Sequence, residues 1–401
     1  MSVAVEAPAQ RRERRGLLLL ILGALSAIGP LSIDMYLPAL PAITHEMATG
    51  PAQVQLTLTA CLIGVSLGQV MAGPLSDSRG RRLPLLVGVG GYTIASLLCA
   101  FAPNVGSLIV LRLLQGILGG AALVIVRAIV RDMYDGAAIA RIFANLMLVS
   151  GLAPILAPIA GAQLLEFTSW RGVFVALSLA GLVLLAMTIP GVRETLPAED
   201  RAAGGLRPTA VTFWKLLRDR RFMAPALASG LGFAAMFGYI SGSPFVLQEI
   251  YGVSAGQYAL IFGVNALALT VMAQVGGRLA GRVDPGKLVM AGLFVCLGGG
   301  VLVLVSALAG LGLWGVLAGL FLLQSGAGLV MPGAGALALA SQPAQIAGSA
   351  SALLGVLQFA LGALAAPMVG LAGGTAAAMG VVILVLMGCA FAAFTLLRRV
   401  R

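Results

Sequence analysis

Gly73-Pro-Leu-Ser-Asp-Ser-Arg-Gly-Arg-Arg82 is a charged, glycine-containing turn set between two long apolar runs. Its reading decides the fold. Charges of this density are disfavoured in hydrocarbon, so the stretch is a water-facing hinge between two membrane helices. The same alternation extends over the whole chain, where 60% of the 401 residues are hydrophobic and 10% are charged. Soluble domains do not have that composition. A spanning helix needs roughly 20 apolar residues, and runs of that kind lie near 16–44, 52–75, 83–102, 106–131, 139–165, 171–192, 223–249, 255–280, 287–309, 312–340, 346–371 and 375–397. The expected fold is an all-α membrane protein of twelve transmembrane helices. The arginine-rich start imitates a signal peptide, but its apolar run reaches about Ile43, too long for a cleaved segment, and reads as a retained helix.

Orientation follows from the basic residues. Of the 25 Lys and Arg, 23 fall before the first run, after the last, or in alternate connections, and only Arg112 and Arg171 lie elsewhere. The positive-inside rule makes that side cytoplasmic and places both termini there. The net charge of +11 is therefore topological, and nucleic-acid binding is discounted. The segment from Arg193 to Arg221 is the one long polar connection, dividing the chain into an N-terminal six-helix bundle (1–192), a cytoplasmic linker (193–221) and a C-terminal six-helix bundle (222–401). Val70-Met-Ala before the first turn has a counterpart in Val271-Met-Ala, followed by Gly277-Arg-Leu-Ala-Gly-Arg-Val-Asp-Pro-Gly-Lys287. That offset of half the chain predicts duplicated, pseudo-symmetric halves. Cys61, Cys99, Cys296 and Cys389 stand in apolar runs at unrelated spacings, so neither a metal site nor a disulfide framework is expected.

A charge at bilayer depth costs at least ~2.5–3.5 kcal/mol, so each one is a functional hypothesis. Asp34 is the acid well inside a run and Arg112 the embedded base. At ~1.5 Å per residue, both fall in the outer half of the bilayer. They form a pair, or Asp34 is a carboxylate whose proton and ligand compete; the plainer reading is a static ion pair that fixes helix packing. In the turn, Asp77 is an acid among arginines, suited to bonding a helix N-terminus or Arg127 and Arg131, which stack at i and i+4. Gly73, Asp77, Gly80, Arg81, Arg127 and Arg131 are accordingly candidates for a conformational latch, against the simpler reading of a solvated loop. Gly151-Leu-Ala-Pro-Ile-Leu-Ala-Pro-Ile-Ala-Gly161 sets Pro154 and Pro158 four apart on one helix face, predicting a bent helix with a smooth surface. Mid-run polar and aromatic residues (Tyr36, Gln115, Asn145, Tyr239, Ser241, Asn265, Gln324, Gln358, Phe359) are candidates for a substrate cavity, though each singly is as well explained by helix packing. Together they describe an apolar interior with few fixed polar groups, which suits amphiphilic compounds.

Gly73-x-Leu75-x-Asp77-x-x-Gly80-Arg81-Arg82 resembles the signature between the second and third helices of the major facilitator superfamily, with Ser78 at a usually basic position. Ile33-Asp-Met-Tyr-Leu-Pro-Ala-Leu-Pro41, Leu111-Arg-Leu-Leu-Gln-Gly-Ile-Leu-Gly-Gly120, Arg127-Ala-Ile-Val-Arg-Asp132, Trp170-Arg171 and Ser243-Pro-Phe-Val-Leu-Gln248 resemble its Bcr/CflA-like drug:proton antiporters. The resemblance implies a proton- or cation-binding role for Asp34 and a proton-transfer role for Arg112. Gly151 to Gly161 is similar to the antiporter signature, which packs on the other half in that family; here Ala153 and Ala157 precede the prolines where glycine is common.

The resulting expectation is a bacterial inner-membrane transporter, working as a monomer by alternating access and exporting amphiphilic drugs or antibiotics in exchange for protons. A proton-coupled transporter of sugars or other metabolites is the alternative. No cofactor and no metal are expected; the partners are a small-molecule substrate, protons and the lipid bilayer. His45 is the one histidine, and no cluster supplies acid–base or nucleophilic chemistry, so an enzyme is not expected. A receptor that binds without flux is the remaining class.

Overall fold

A computed structural model describes residues 8–134, 137–201, 207–343 and 346–399. Among them the regular structure is helical, with no strand. The helices are α1 (Pro8–Asp34), α2 (Leu40–Glu46), α3 (Pro51–Arg79), α4 (Arg82–Ala100), α5 (Val105–Met133), α6 (Ala137–Phe167), α7 (Trp170–Gly191), α8 (Arg207–Arg218), α9 (Arg220–Pro244), α10 (Ala255–Leu279), α11 (Pro285–Leu308), α12 (Gly312–Ala340), α13 (Ala347–Ala365), α14 (Met368–Leu371) and α15 (Ala376–Arg399). In lipid a segment must satisfy its own backbone polar groups, which is why apolar runs become helices. Short polar connections stop them. Asn104, Ser254 and Asp284 each accept a bond from the backbone N–H three residues on, capping α5, α10 and α11.

Among the described residues, 11 helical stretches are long and apolar enough to cross a membrane. α6, with 31 residues, adds the apolar stretch Gly151–Phe167. Three expected runs are interrupted. The first is not continuous over 16–44: α1 ends at Asp34, a 3-10 turn covers Leu37–Ala39, and α2 resumes at Leu40. Pro38 and Pro41 lack an N–H and crowd the preceding turn, which ends one helix and starts the next. Likewise α9 passes at Pro244 into a π turn, Phe245–Ile250, and Pro367 separates α13 from α14. The connection at 193–221 is more than a linker, since it contains α8.

The most extensive packing stays within Pro8–Gly191, as α3 on α5 and α4 on α7, or within Arg220–Arg399, as α11 on α12 and α9 on α15. Glycine sets the closeness of two of these crossings. A Cβ on Gly116 would come 3.0 Å from Val65 N, and one on Gly299 would come 2.7 Å from Leu323 N, so α3–α5 and α11–α12 touch backbone to backbone.

Two seams join the groups, α6 on α10 and α3 on α13. Side-chain hydrogen bonds across the seams all lie, among the described residues, at the end away from the Gly73–Arg82 turn. Gln55 Nε2 donates to Ser241 O (3.0 Å) while Gln55 Oε1 accepts from Gly370 N (3.1 Å). Thr59 Oγ1 donates to Ala363 O (2.9 Å) and Gln248 Nε2 to Pro38 O (3.3 Å). His45 and Glu249 approach to 3.4 Å there. That end is sealed. At the turn end a cavity of about 360 Å³ separates α3 and α5 from α13.

Candidate functional site

The break in the first run places Asp34 at the C-terminus of α1, facing a second cavity of about 290 Å³ between the two helical groups. Gly151 and Pro154 of α6 form part of its wall, and Phe233, Met236, Phe237, Phe262, Met331 and Phe359 supply its aromatic and methionine surface. Phe233 packs on Phe237 (centroids 4.7 Å apart) and edge-on to Phe359 (5.4 Å). Asp34 is 5% exposed and makes no hydrogen bond or ion pair with a described residue. An ionised carboxylate in such surroundings is costly unless a cation or proton joins it. Gln324 also lines the cavity, and its Oε1 is buried without a partner.

Arg112 does not meet Asp34. It lies fully buried inside the first group, donating from Nη1 to Gln115 Oε1 (2.6 Å), while Gln115 Nε2 donates to Ser96 Oγ (2.7 Å). Its guanidinium carbon stands 4.7 Å from the centroid of Tyr36 and 5.6 Å from that of Phe174, within cation–π range. Arg112 Nε and Nη2 have no hydrogen-bond partner. Tyr36 in turn hydrogen-bonds Thr57. Asp34 and Arg112 therefore form neither a functional couple nor a static ion pair: Asp34 lines the cavity, and Arg112 packs on Tyr36, two residues further along the first run.

Other candidate substrate residues are distributed by the fold. Phe359 reaches the cavity. Tyr36 and Gln115 belong to the arginine box, Asn265 Nδ2 donates to Tyr239 OH (2.9 Å), Gln358 Nε2 donates to Ser229 Oγ (2.8 Å), and Ser241 bonds Ala366 O (2.6 Å). None of these is among the cavity-lining residues. The side chain of Asn145 lies outside the described residues. The Phe233/Phe237 pair was missed; its i, i+4 spacing on the first helix of the second group was the available signal.

On α6, Gly151 and Pro154 line the cavity, Pro158 is buried, and Gly161 packs against the carbonyl of Met35, inside the break of the first run. No side chain fits there. Ile155 of the same stretch touches Gly263 of α10, so the proline stripe packs both on the break and on the second group.

The turn is a charge network. Arg81 bonds Asp77, donates from Nη1 to Ser76 Oγ (2.9 Å) and from Nε to Asp132 Oδ2 (2.9 Å). Gly80, at φ +90°, brings the chain over Glu194, whose Oε1 accepts from Arg81 N (2.7 Å) and Oε2 from Arg82 N (3.2 Å). Burial works against the Glu194 charge, but the N–H groups of Arg81, Leu196, Arg82 and Thr195 outweigh it and hold the carboxyl below its ordinary range. Asp77 thus pairs with Arg81, not with Arg127 or Arg131, which line the 360 Å³ cavity. Gly73 has open space before it. Asp132 and Glu194 were missed as network members. Asp132 is visible in sequence beside Arg131, but nothing local links Glu194 to residues over a hundred positions earlier. Among the described residues no group of three or more His, Cys, Asp or Glu could hold a metal.

A chain of apolar spanning helices around a cavity lined by a carboxylate that has no partner among the described residues defines a polytopic membrane protein of the transporter class. Residues 20–367 match the Major Facilitator Superfamily, and the chain belongs to that family of transporters. It is 38% identical over 91% of both chains to an uncharacterized MFS-type transporter, YdgK, of Bacillus subtilis. It is 30% identical, over 88% of both chains, to the bicyclomycin resistance protein homolog of Haemophilus influenzae, and 28% identical, over 73% of this chain and 74% of the other, to the multidrug resistance protein MdtL of Escherichia coli. In fold it is similar to a bacterial homolog of the human lysosomal transporter Spinster in an inward-facing, occupied conformation (TM-score 0.76, 15% identity, 96% of this chain and 97% of that one). The D-xylose–proton symporter is comparably similar (TM-score 0.72, 15% identity, 95% and 97%).

Proposed function

We propose that this chain is a proton-driven antiporter that exports amphiphilic, drug-like compounds across a bacterial inner membrane. The observation that carries the reading is Asp34 at the helix break, without a partner among the described residues and facing phenylalanine and methionine side chains. Such a wall takes apolar bodies of varied shape, and a lone buried carboxylate takes either a proton or a cationic group, not both. The resistance-associated relatives support drug export over a sugar or metabolite, and so does the scarcity of fixed polar groups in the cavity.

The chain acts as a monomer of two six-helix bundles, 1–192 and 222–401, with α6 as the twelfth spanning helix and both termini cytoplasmic. The turn end is then cytoplasmic and open, and the sealed end faces out. Ionised Asp34 receives substrate from inside. Rocking of the bundles about the cavity opens the Gln55 seal, a proton enters, and its binding releases the substrate. Linkage requires each ligand to weaken the other's binding equally. Arg112 positions Tyr36 and keeps a fixed positive charge near the break, and the Asp77–Arg81–Asp132 network with Glu194 latches the turn end.

The test is proton flux in proteoliposomes carrying a proton gradient, challenged with a panel of amphiphilic compounds. Substrate-dependent dissipation that vanishes in Asp34→Asn is the expected result. Dissipation that persists in that variant moves the coupling site elsewhere; none in the native chain, with flux on offering sugars, replaces export by metabolite transport.

A further inference from the structure

We propose that the cavity at the turn end holds an oxyanion-binding site, formed by Arg127 and Arg131 of α5 with the first turn of α13, that takes one phosphate or carboxylate group. This is separate from the Asp34 cavity and does not depend on the export reading. Arg127 and Arg131 are one helical turn apart and both line the 360 Å³ cavity. Neither makes a hydrogen bond or ion pair with a described residue. Both acids lining the cavity, Asp77 and Asp132, are engaged by Arg81. Two like charges at i and i+4 repel, and both side chains are exposed at the open cavity. Among the described residues no carboxylate pairs with either arginine, Asp77 and Asp132 being held by Arg81.

The opposite wall has the same polarity. α13 begins at Ala347, its N-cap Ile346 offers no side-chain cap, and Gly348, Ser349 and Ser351 line the cavity. Free N–H groups and the positive end of the helix dipole stand across from two guanidinium groups. Hydroxyl donors at Ser349 and Ser351 make no hydrogen bond of their own to a described residue. Guanidinium forks and backbone N–H groups are the donors that a phosphate or carboxylate accepts from most strongly. An oxyanion here bridges α5 and α13, which belong to different helical groups, so it stabilises the arrangement in which this cavity is open. It is carried by a small molecule in solution or by the headgroup of an anionic lipid.

The test uses the full chain in nanodiscs, with Cys389→Ser removing the exposed thiol and Ser351→Cys reporting on the cavity through its rate of alkylation by a charged maleimide. In discs of phosphatidylcholine, inorganic phosphate at constant ionic strength is expected to slow alkylation about tenfold, and the double substitution Arg127→Gln/Arg131→Gln to remove the protection. Arg127→Lys/Arg131→Lys, which keeps the charge and loses the fork, is expected to retain part of it. Discs containing phosphatidic acid without added phosphate decide the source: protection there, abolished by the Gln pair, assigns a lipid headgroup, whereas protection by phosphate alone assigns a soluble anion. Equal rates with phosphate, with phosphatidic acid and with neither overturn the proposal, as does protection undiminished in the Gln pair.

Discussion

Asp34 and Arg112 are the two charges deepest in the helical body, and their surroundings differ in kind. Asp34 faces empty volume and aromatic rings with no partner among the described residues; Arg112 packs against Tyr36 and Phe174 and bonds Gln115. The difference teaches that an intramembrane charge is free to react only where the fold leaves it unpaired beside a cavity. A boxed charge instead contributes field and packing.

The largest effect that probes this contrast is on ligand binding. The affinity of the native chain for a cationic substrate is expected to fall as pH is lowered, by roughly 5–150-fold in all, while Asp34→Asn binds weakly and without pH dependence by equilibrium titration. A pH dependence surviving in Asp34→Asn but lost in Arg112→Lys would invert the assignment. Stability should move the other way. Arg112→Ala leaves a cavity and takes the partner from Gln115 Oε1, costing about 3–5 kcal/mol in equilibrium unfolding, whereas Asp34→Asn, which removes a carboxylate with no partner among the described residues, stays within about 1 kcal/mol of native or gains. Equal losses would mean that Asp34 is structural as well.

Smaller changes sharpen the boundary of the box. Tyr36→Phe keeps the ring beneath the guanidinium and removes the bond to Thr57, with an expected loss of about 1 kcal/mol and unchanged proton coupling in flux assays. Glu194 gives the weakest effect and a control outside the membrane, because its carboxyl is held below its ordinary range by backbone N–H groups. A depressed native value stabilises above the ordinary carboxylate range and is lost as pH falls through that native value. Native and Glu194→Gln unfolding midpoints are therefore expected to differ at neutral pH and converge in acid; a difference that grows in acid contradicts the assigned sign.

Much of this arrangement is legible in the chain. Apolar run lengths mark the spanning helices, and the cost of burying charge singles out Asp34 and Arg112 without reference to any contact. Their separation is not legible, since Asp34 and Tyr36 stand two residues apart on what reads as one helix. Pro38 and Pro41 warned of a kink, but a kink and a full break have the same sequence, and the break sends Asp34 to the cavity and Tyr36 to the box. Gln358 and Asn265 illustrate the other limit: a polar residue in an apolar run signals a partner, not whether that partner is a ligand or a serine on the next helix.

The glycine crossings have a consequence for how such a protein adapts. At Gly116 and Gly299 the neighbouring backbone leaves no room for a methyl group, so these positions have essentially one permitted residue. Phe233, Met236 and Phe359, at the cavity wall, border open volume and admit many. Variation that alters cargo is thereby channelled to the wall, and a new preference can arise there by single replacements while the moving frame is inherited unchanged.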